Sequence, residues 1–249
     1  MARVSKAYVK READIIANLS KSASVTLKKR IKDTEDWDDV ARIVSETCKA
    51  YTDMSAAISS EYYAGIRAAS RVRSKYQPIV HSGYDADAVY SATISILDEV
   101  QSGKATAPVM DLLSNVANRE VKNAADNCIK ANTKRDPANP KYAIVPNGDA
   151  CAFCQMRASL GYVYGDQDAV ESHDHCTCMA TPVFGNQTIE GYNPKEYEDR
   201  YNEARDALKN GDIPEEMKAR FKAEKAAKGK DFDKTKQILA VMRYQQGIS

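Results

Sequence analysis

The chain has 249 residues, with 36 lysines and arginines against 35 aspartates and glutamates and a net charge of +1. Hydrophobic residues at 43% and charged residues at 29% describe an ordinary folding chain and exclude a disordered one. No apolar run approaches the roughly 20 residues that span a bilayer, and the near-zero charge gives no whole-molecule pull toward nucleic acid.

The first residues are polar and basic, densest at Lys28-Lys29-Arg30-Ile31-Lys32. They are expected to form a solvated basic arm or helix face, assigned to 1–34 as a basic N-terminal arm, with contact to nucleic acid or an acidic protein surface as the functional alternative. Tyr8 is the one aromatic residue among them, so base stacking is not indicated. The opening Met1-Ala2-Arg3-Val4-Ser5-Lys6 lacks the apolar core of a secretory signal, and no leader is expected.

A helical domain is expected over 35–134. Asp33-Thr34-Glu35-Asp36 places a capping side chain and acidic residues at a helix start. Trp37, Val40, Val44, Cys48, Tyr51, Ile58, Tyr62 and Ile66 then recur at helical spacing as one apolar stripe, closed at Gln77-Pro78. A second helix is predicted from about Asp85 to Val100 and a third from about Pro108 to Ala131. Cys48 and Cys128 fall on apolar faces and read as core, while His81 reads as a surface histidine in a short connection.

Arg135-Asp136-Pro137-Ala138-Asn139-Pro140 reads as a turn-rich linker that no helix crosses. Beyond it the predicted elements are short: strands at Tyr142–Val145, Tyr162–Tyr164 and Met179–Phe184, and helical turns over Ala152–Leu160. This small α+β module is assigned to 135–190. The tail, 191–249, returns to helix, with Asn193-Pro194 as cap and first turn, a stop at Asn210-Gly211, a new start at Pro214, and a last helix over about Asp233–Tyr244. Its alternating charges predict solvated or partner-facing helices. The fold class is therefore α+β but predominantly helical: a long-helix N-terminal region, a small metal-stapled module and a helical tail.

Four of the six cysteines and two of the three histidines crowd into the module: Cys151, Cys154, His173, His175, Cys176 and Cys178. Thiolate and imidazole suit Zn²⁺, and a two-residue gap lets one tight turn present both sulfurs of Cys151 and Cys154. Extended backbone would aim Cys176 and Cys178 to one side and His173 and His175 to the other, whereas a turn would bring a histidine in. Four sulfurs, or three sulfurs and one histidine, are both open, and an unused histidine would hydrogen-bond a thiolate. Disulfides are the lesser reading, since a chain of this size needs no staples. A closed, soft ligand sphere with no His-Glu-x-x-His stretch, no deaminase signature and no Gly-x-Ser-x-Gly elbow points to one structural Zn²⁺ and not to an enzyme. The ion is expected to supply part of the module's folding energy.

Pro146 to Cys154, then Ala158-Ser159-Leu160-Gly161-Tyr162-Val163-Tyr164, then His173-Asp174-His175-Cys176-Thr177-Cys178, resemble the minor capsid proteins of tailed bacteriophages. These are the Mu F-like head-morphogenesis proteins and their relatives in phages of actinobacteria. In that family a helical region precedes a module with Cys-x-x-Cys, a small-Gly-aromatic-Val-Tyr stretch and a closing His-x-x-Cys-x-Cys. The closing element maps onto His173, Cys176 and Cys178. Thr177 stands where arginine is common, and Leu160 where arginine often precedes the glycine. The resemblance implies a structural virion protein, made in the host cytoplasm and placed in the capsid, whose partners are the portal and the major capsid protein. Packaged DNA is a further candidate partner through the basic arm, and no membrane is involved.

A competing class is a nuclease. His173-Asp174-His175 beside zinc cysteines also resembles the centre of His-Me finger (HNH-type) nucleases. Those carry a second Cys-x-x-Cys and a downstream Asn or His on a helix, whereas here a Cys-x-Cys follows the histidines at once and Asn186 has no helix signal around it. A zinc-stapled nucleic-acid adaptor is weaker still, because the module has little excess of basic residues.

Overall fold

Helices dominate the computed structural model, which describes residues 3–148, 150–162, 177–229 and 233–247. Four of them build the scaffold: α1 (Lys6–Ile31), α2 (Trp37–Ala69), α3 (Ala86–Gln101) and α4 (Val109–Arg135). The starts of α2 and α3 follow from side-chain capping of otherwise unpaired backbone N–H groups. Asp36 accepts from the Asp39 amide at 2.9 Å, and Asp85 accepts from the Asp87 and Ala88 amides, each at 3.0 Å. The apolar stripes then face one another, α2 giving Val44, Tyr62, Tyr63 and Ile66 and α4 giving Leu113, Val121, Ile129 and their neighbours. Cys48 and Cys128 are wholly buried in this core, where burial pushes the Cys48 thiol up to about 12.

The segment expected to be a basic arm is a core helix. Val9, Ala13, Ile16, Ala23, Leu27 and Ile31 of α1 are buried, and the helix packs on α2 and α4. Three of those positions carry little more than a methyl or branched stub, so the stripe is thin in sequence although it is continuous in space. Arg30, in the middle of the basic run, is committed to α2: it donates to Thr47 Oγ1 at 2.9 Å and to Glu46 at 2.6 Å. The N-terminal end is held as well. β1 (Arg3–Val4) pairs in parallel with β4 (Thr188–Ile189), and the Lys6 amide donates to Glu190 at 3.2 Å.

Two further expectations shift. α2 ends at Ala69 with Ser70 as C-cap, well before Gln77-Pro78, because Arg67 turns inward and donates to the Ser74 carbonyl and hydroxyl. Trp37, expected on the core stripe, is 40% exposed at the first turn of α2, where it lines a cleft with Leu97, Val109 and Leu113.

The linker 135–140 is an anchored turn. Asp136 is buried and accepts from Arg67 Nε at 2.7 Å, Tyr63 Oη at 3.1 Å and the Ala138 amide at 2.9 Å. It leads into β2 (Lys141–Val145), which pairs antiparallel with β3 (Met179–Val183) so that Val145 faces Met179 and Lys141 faces Val183. β3 is buried along its whole length against α2 and α4. Its contacts include Tyr62 Oη at 3.1 Å from Thr181 Oγ1 and the Ala180 amide donating to Asp126 at 3.2 Å. The module and the long helices thus share one continuous core.

Tail helices α6 (Pro194–Asn210), α7 (Glu215–Lys228) and α8 (Lys234–Gln246) follow, α6 capped by Asn193 and closed by Gly211 in the left-handed region at φ 80°. They were expected to be solvated or partner-facing. Instead α8 buries Ile238, Leu239, Val241 and Met242 in a second core with Ala204, Phe221 and Ala152. Ala152 opens α5 (Ala152–Ser159), the short helix that carries the Cys-x-x-Cys pair.

Candidate metal centre

The antiparallel register decides which residues meet. Val145 ends β2 opposite Met179, the first residue of β3, so the chain leaving β2 and the chain entering β3 lie at the same end of the ladder. Thr177 Oγ1 donates to the Asn147 carbonyl at 3.0 Å and ties the two together. From that end the backbone turns through Gly148, at φ 64°, and reaches Cys151 at the N-cap of α5. Cys154 follows in the first helical turn, buried, and Cys178 is buried just ahead of β3. All three cysteines pack into the main core. A helix N-terminus favours negative charge, so the first turn of α5 is an electrostatically suitable seat for two thiolates.

His173, His175 and Cys176 lie outside the described residues, as do Val163 and Tyr164 of the predicted middle strand; Tyr162 itself sits in a bend. Among the described residues no three His, Cys, Asp or Glu side chains gather closely enough to hold an ion. His81 is exposed and remote in sequence from the cysteines, on the connection between α2 and α3.

Around α5 the fold supplies a support that the sequence reading missed. Gln155, one residue after Cys154, is clamped from three sides. Its Nε2 donates to the Ala150 carbonyl at 2.8 Å and to Gln246 Oε1 of α8 at 2.6 Å, and its Oε1 accepts from Arg200 of α6 at 3.1 Å. Phe153 and Met156 lie against the α6–α8 core. On the other side stand three tyrosines. Tyr162 and Tyr192 meet edge-on at 5.4 Å, Tyr192 and Tyr197 lie 6.3 Å apart, and Tyr192 Oη donates to the Ala158 carbonyl at 2.6 Å. Burial pushes the Tyr197 phenol up, against the lowering effect of the nearby Arg200 guanidinium.

The geometry also explains the Gly-aromatic stretch. Gly161 adopts φ 68°, and a Cβ there would stand 3.3 Å from the Pro194 ring. Only glycine turns the chain at that point without strain while letting α6 close over it. Tyr162 then accepts the Ile189 amide at 3.1 Å, joining the end of α5 to β4. A signal for these supports was present in the tyrosine-rich run around Tyr192–Tyr201 and in the apolar pattern of α8, but their partner in α5 is not encoded locally.

No curated protein and no solved structure matches this chain. A family model described as VG15 protein matches residues 2–204, which takes in the four long helices, both strand pairs, α5 and most of α6. The chain therefore belongs to the VG15 protein family, a family of viral (phage) gene products.

Proposed function

We propose that this protein is a structural minor capsid protein of a tailed phage, of the Mu F-like type, acting in head assembly or DNA packaging and delivery near the portal or inner shell. Membership of the VG15 family carries the reading, and the Cys-x-x-Cys at the start of α5, with Cys178 just ahead of β3, supports it. The role is structural and not catalytic. Long helices with mixed-charge outer faces offer broad contact area to the portal and the major capsid protein, and no described helix is long and apolar enough to cross a membrane.

The module would hold one structural Zn²⁺. Cys151 and Cys154 supply two soft donors from one helical turn, Cys178 a third from the same end of the ladder, and Cys176, His173 or His175 would complete a tetrahedron. When bound, the ion would cross-link α5 to the entry of β3 and stabilise the region by binding the folded state alone. Contact with packaged DNA through the basic run of 1–34 would fall to Lys28, Lys29 and Lys32, since Arg30 is engaged with α2.

The test is fractionation of purified phage heads. The reading expects the chain to co-sediment with intact heads at low copy and to be released only when they are disrupted. A chain found solely in the soluble lysate, and active in Mg²⁺-dependent plasmid nicking that His173→Ala abolishes, would transfer the assignment to the His-Me finger nuclease class.

A further inference from the structure

We propose that the cleft between the C-terminal turns of α4 and the segment leading to α3 binds the phosphate backbone of a nucleic acid, with duplex DNA as its occupant. The inference does not rest on the zinc centre or on the capsid assignment.

The cleft is built before any ligand arrives. Asn132 of α4 is fully buried and pins the segment crossing it: its Oδ1 accepts from the Ile79 amide at 2.8 Å and from Tyr76 Oη at 2.9 Å, and its Nδ2 donates to the Ile79 carbonyl at 2.9 Å. Asn127, one turn earlier, donates to the Ser82 carbonyl at 3.1 Å. Gly83 then turns the chain at φ 65°, where a Cβ would stand 2.7 Å from the Asn127 amide nitrogen. Both walls are fixed by partly buried hydrogen bonds, so ligand binding orders little backbone.

The space between the walls, about 560 Å³, is open and cationic. Lys130, Lys134 and Arg135 line it together with His81, and among the described residues no aspartate or glutamate does. Lys134 and Arg135 are exposed and make no ion pair among the described residues. Asp136, the nearest carboxylate in sequence, is turned inward and neutralised by Arg67. Lys130 and Lys134 stand one helical turn apart on the same face. The connection Arg71-Val72-Arg73-Ser74-Lys75 runs into the Tyr76 wall and exposes three more cations at alternate positions.

The lining separates a nucleic acid from a protein partner. Protein interfaces are centred on aromatic or aliphatic anchors, and this cleft offers none beyond Ala131. A row of lysines with a guanidinium, and no apolar floor, matches a repeating phosphate backbone, which is read by charge alone. This face differs from the α1 basic run, where Arg30 is already paired.

The experiment is fluorescence anisotropy of a labelled DNA duplex with the full chain, titrated between about 50 and 200 mM salt. Each phosphate contact contributes ~0.9 to the slope of log affinity against log salt. Lys134→Ala with Arg135→Ala should therefore lower the slope by about 1.8 and weaken binding on the order of tenfold at the lower salt. Lys222→Ala with Lys225→Ala, exposed on α7, should leave both values unchanged. Thermal midpoints equal to wild type would show that the variants fold. Absence of wild-type binding at the lower salt, or an unchanged slope in the cleft variant, would overturn the proposal. Displacement of the duplex by poly-glutamate at equal charge concentration would overturn it in favour of an acidic protein.

Discussion

Replacing Asp136 by alanine tests whether the turn between α4 and β2 is an anchor or a tether. The carboxylate side chain is fully buried and its partner Arg67 is 11% exposed, with Nε to Oδ2 at 2.7 Å. Alanine would leave the Arg67 guanidinium without its counter-charge in a nearly dry site, together with the Tyr63 hydroxyl and the Ala138 amide that also donate to Asp136. Removing one member of a buried pair costs about 3–5 kcal/mol, because the remaining charge is uncompensated. For a domain of this size that corresponds to a fall in Tm of roughly 6–20 °C. Urea unfolding followed by circular dichroism measures it directly. Arg67→Met combined with Asp136→Ala should recover part of the loss, since no orphan charge is then left. A loss below about 1 kcal/mol, the size typical of an exposed pair, would refute the anchored turn and restore the linker.

Leu27→Ala, at a fully buried position of α1, should destabilise by about 2–5 kcal/mol, while Lys28→Ala beside it should stay within about 0.5 kcal/mol. Equal, small effects in denaturant titrations would return residues 1–34 to an arm. Glu12 is buried, its Oε1 has no hydrogen-bond partner among the described residues, and burial raises its carboxyl from 4.5 to about 7. The unfolded chain therefore ionises at lower pH than the folded one, so this group's contribution to stability falls as pH rises from about 4.5 to 7 and stays low above that. Glu12→Gln should flatten that part of the stability–pH curve; an identical slope in the variant would contradict the assignment. Gly161→Ala should cost about 1–3 kcal/mol through positive φ and the contact with Pro194, visible as a lower Tm.

The helices were legible where a cap and a thick stripe coincided. Asp36, Asp85 and Asn193 mark starts that the backbone obeys, and Val44, Tyr62 and Ile129 mark faces that it buries. α1 was not legible, because Ala13 and Ala23 carry the packing beneath a surface of lysines and serines, and small residues leave a weak periodic signal. The end of α2 at Ala69 was hidden for a different reason: it is decided by Arg67 reaching Ser74 and Asp136, a tertiary choice that overrides local propensity. In the candidate centre, the spacing of Cys151 and Cys154 was open to reading. The clamp on Gln155 and the tyrosines around α5 were not, since each contact joins residues far apart in the chain. The tail's role followed the same rule: α8 is apolar enough to read as a packed helix, but nothing in it names α5 as the partner.

The most direct test of the account is elemental analysis of the purified full chain, made alongside Cys151→Ser. The account predicts one tightly held zinc per wild-type chain, lost in the variant together with stability, because the ion binds only the folded module. Wild-type protein free of zinc, with a Tm that chelator leaves unchanged, would contradict it.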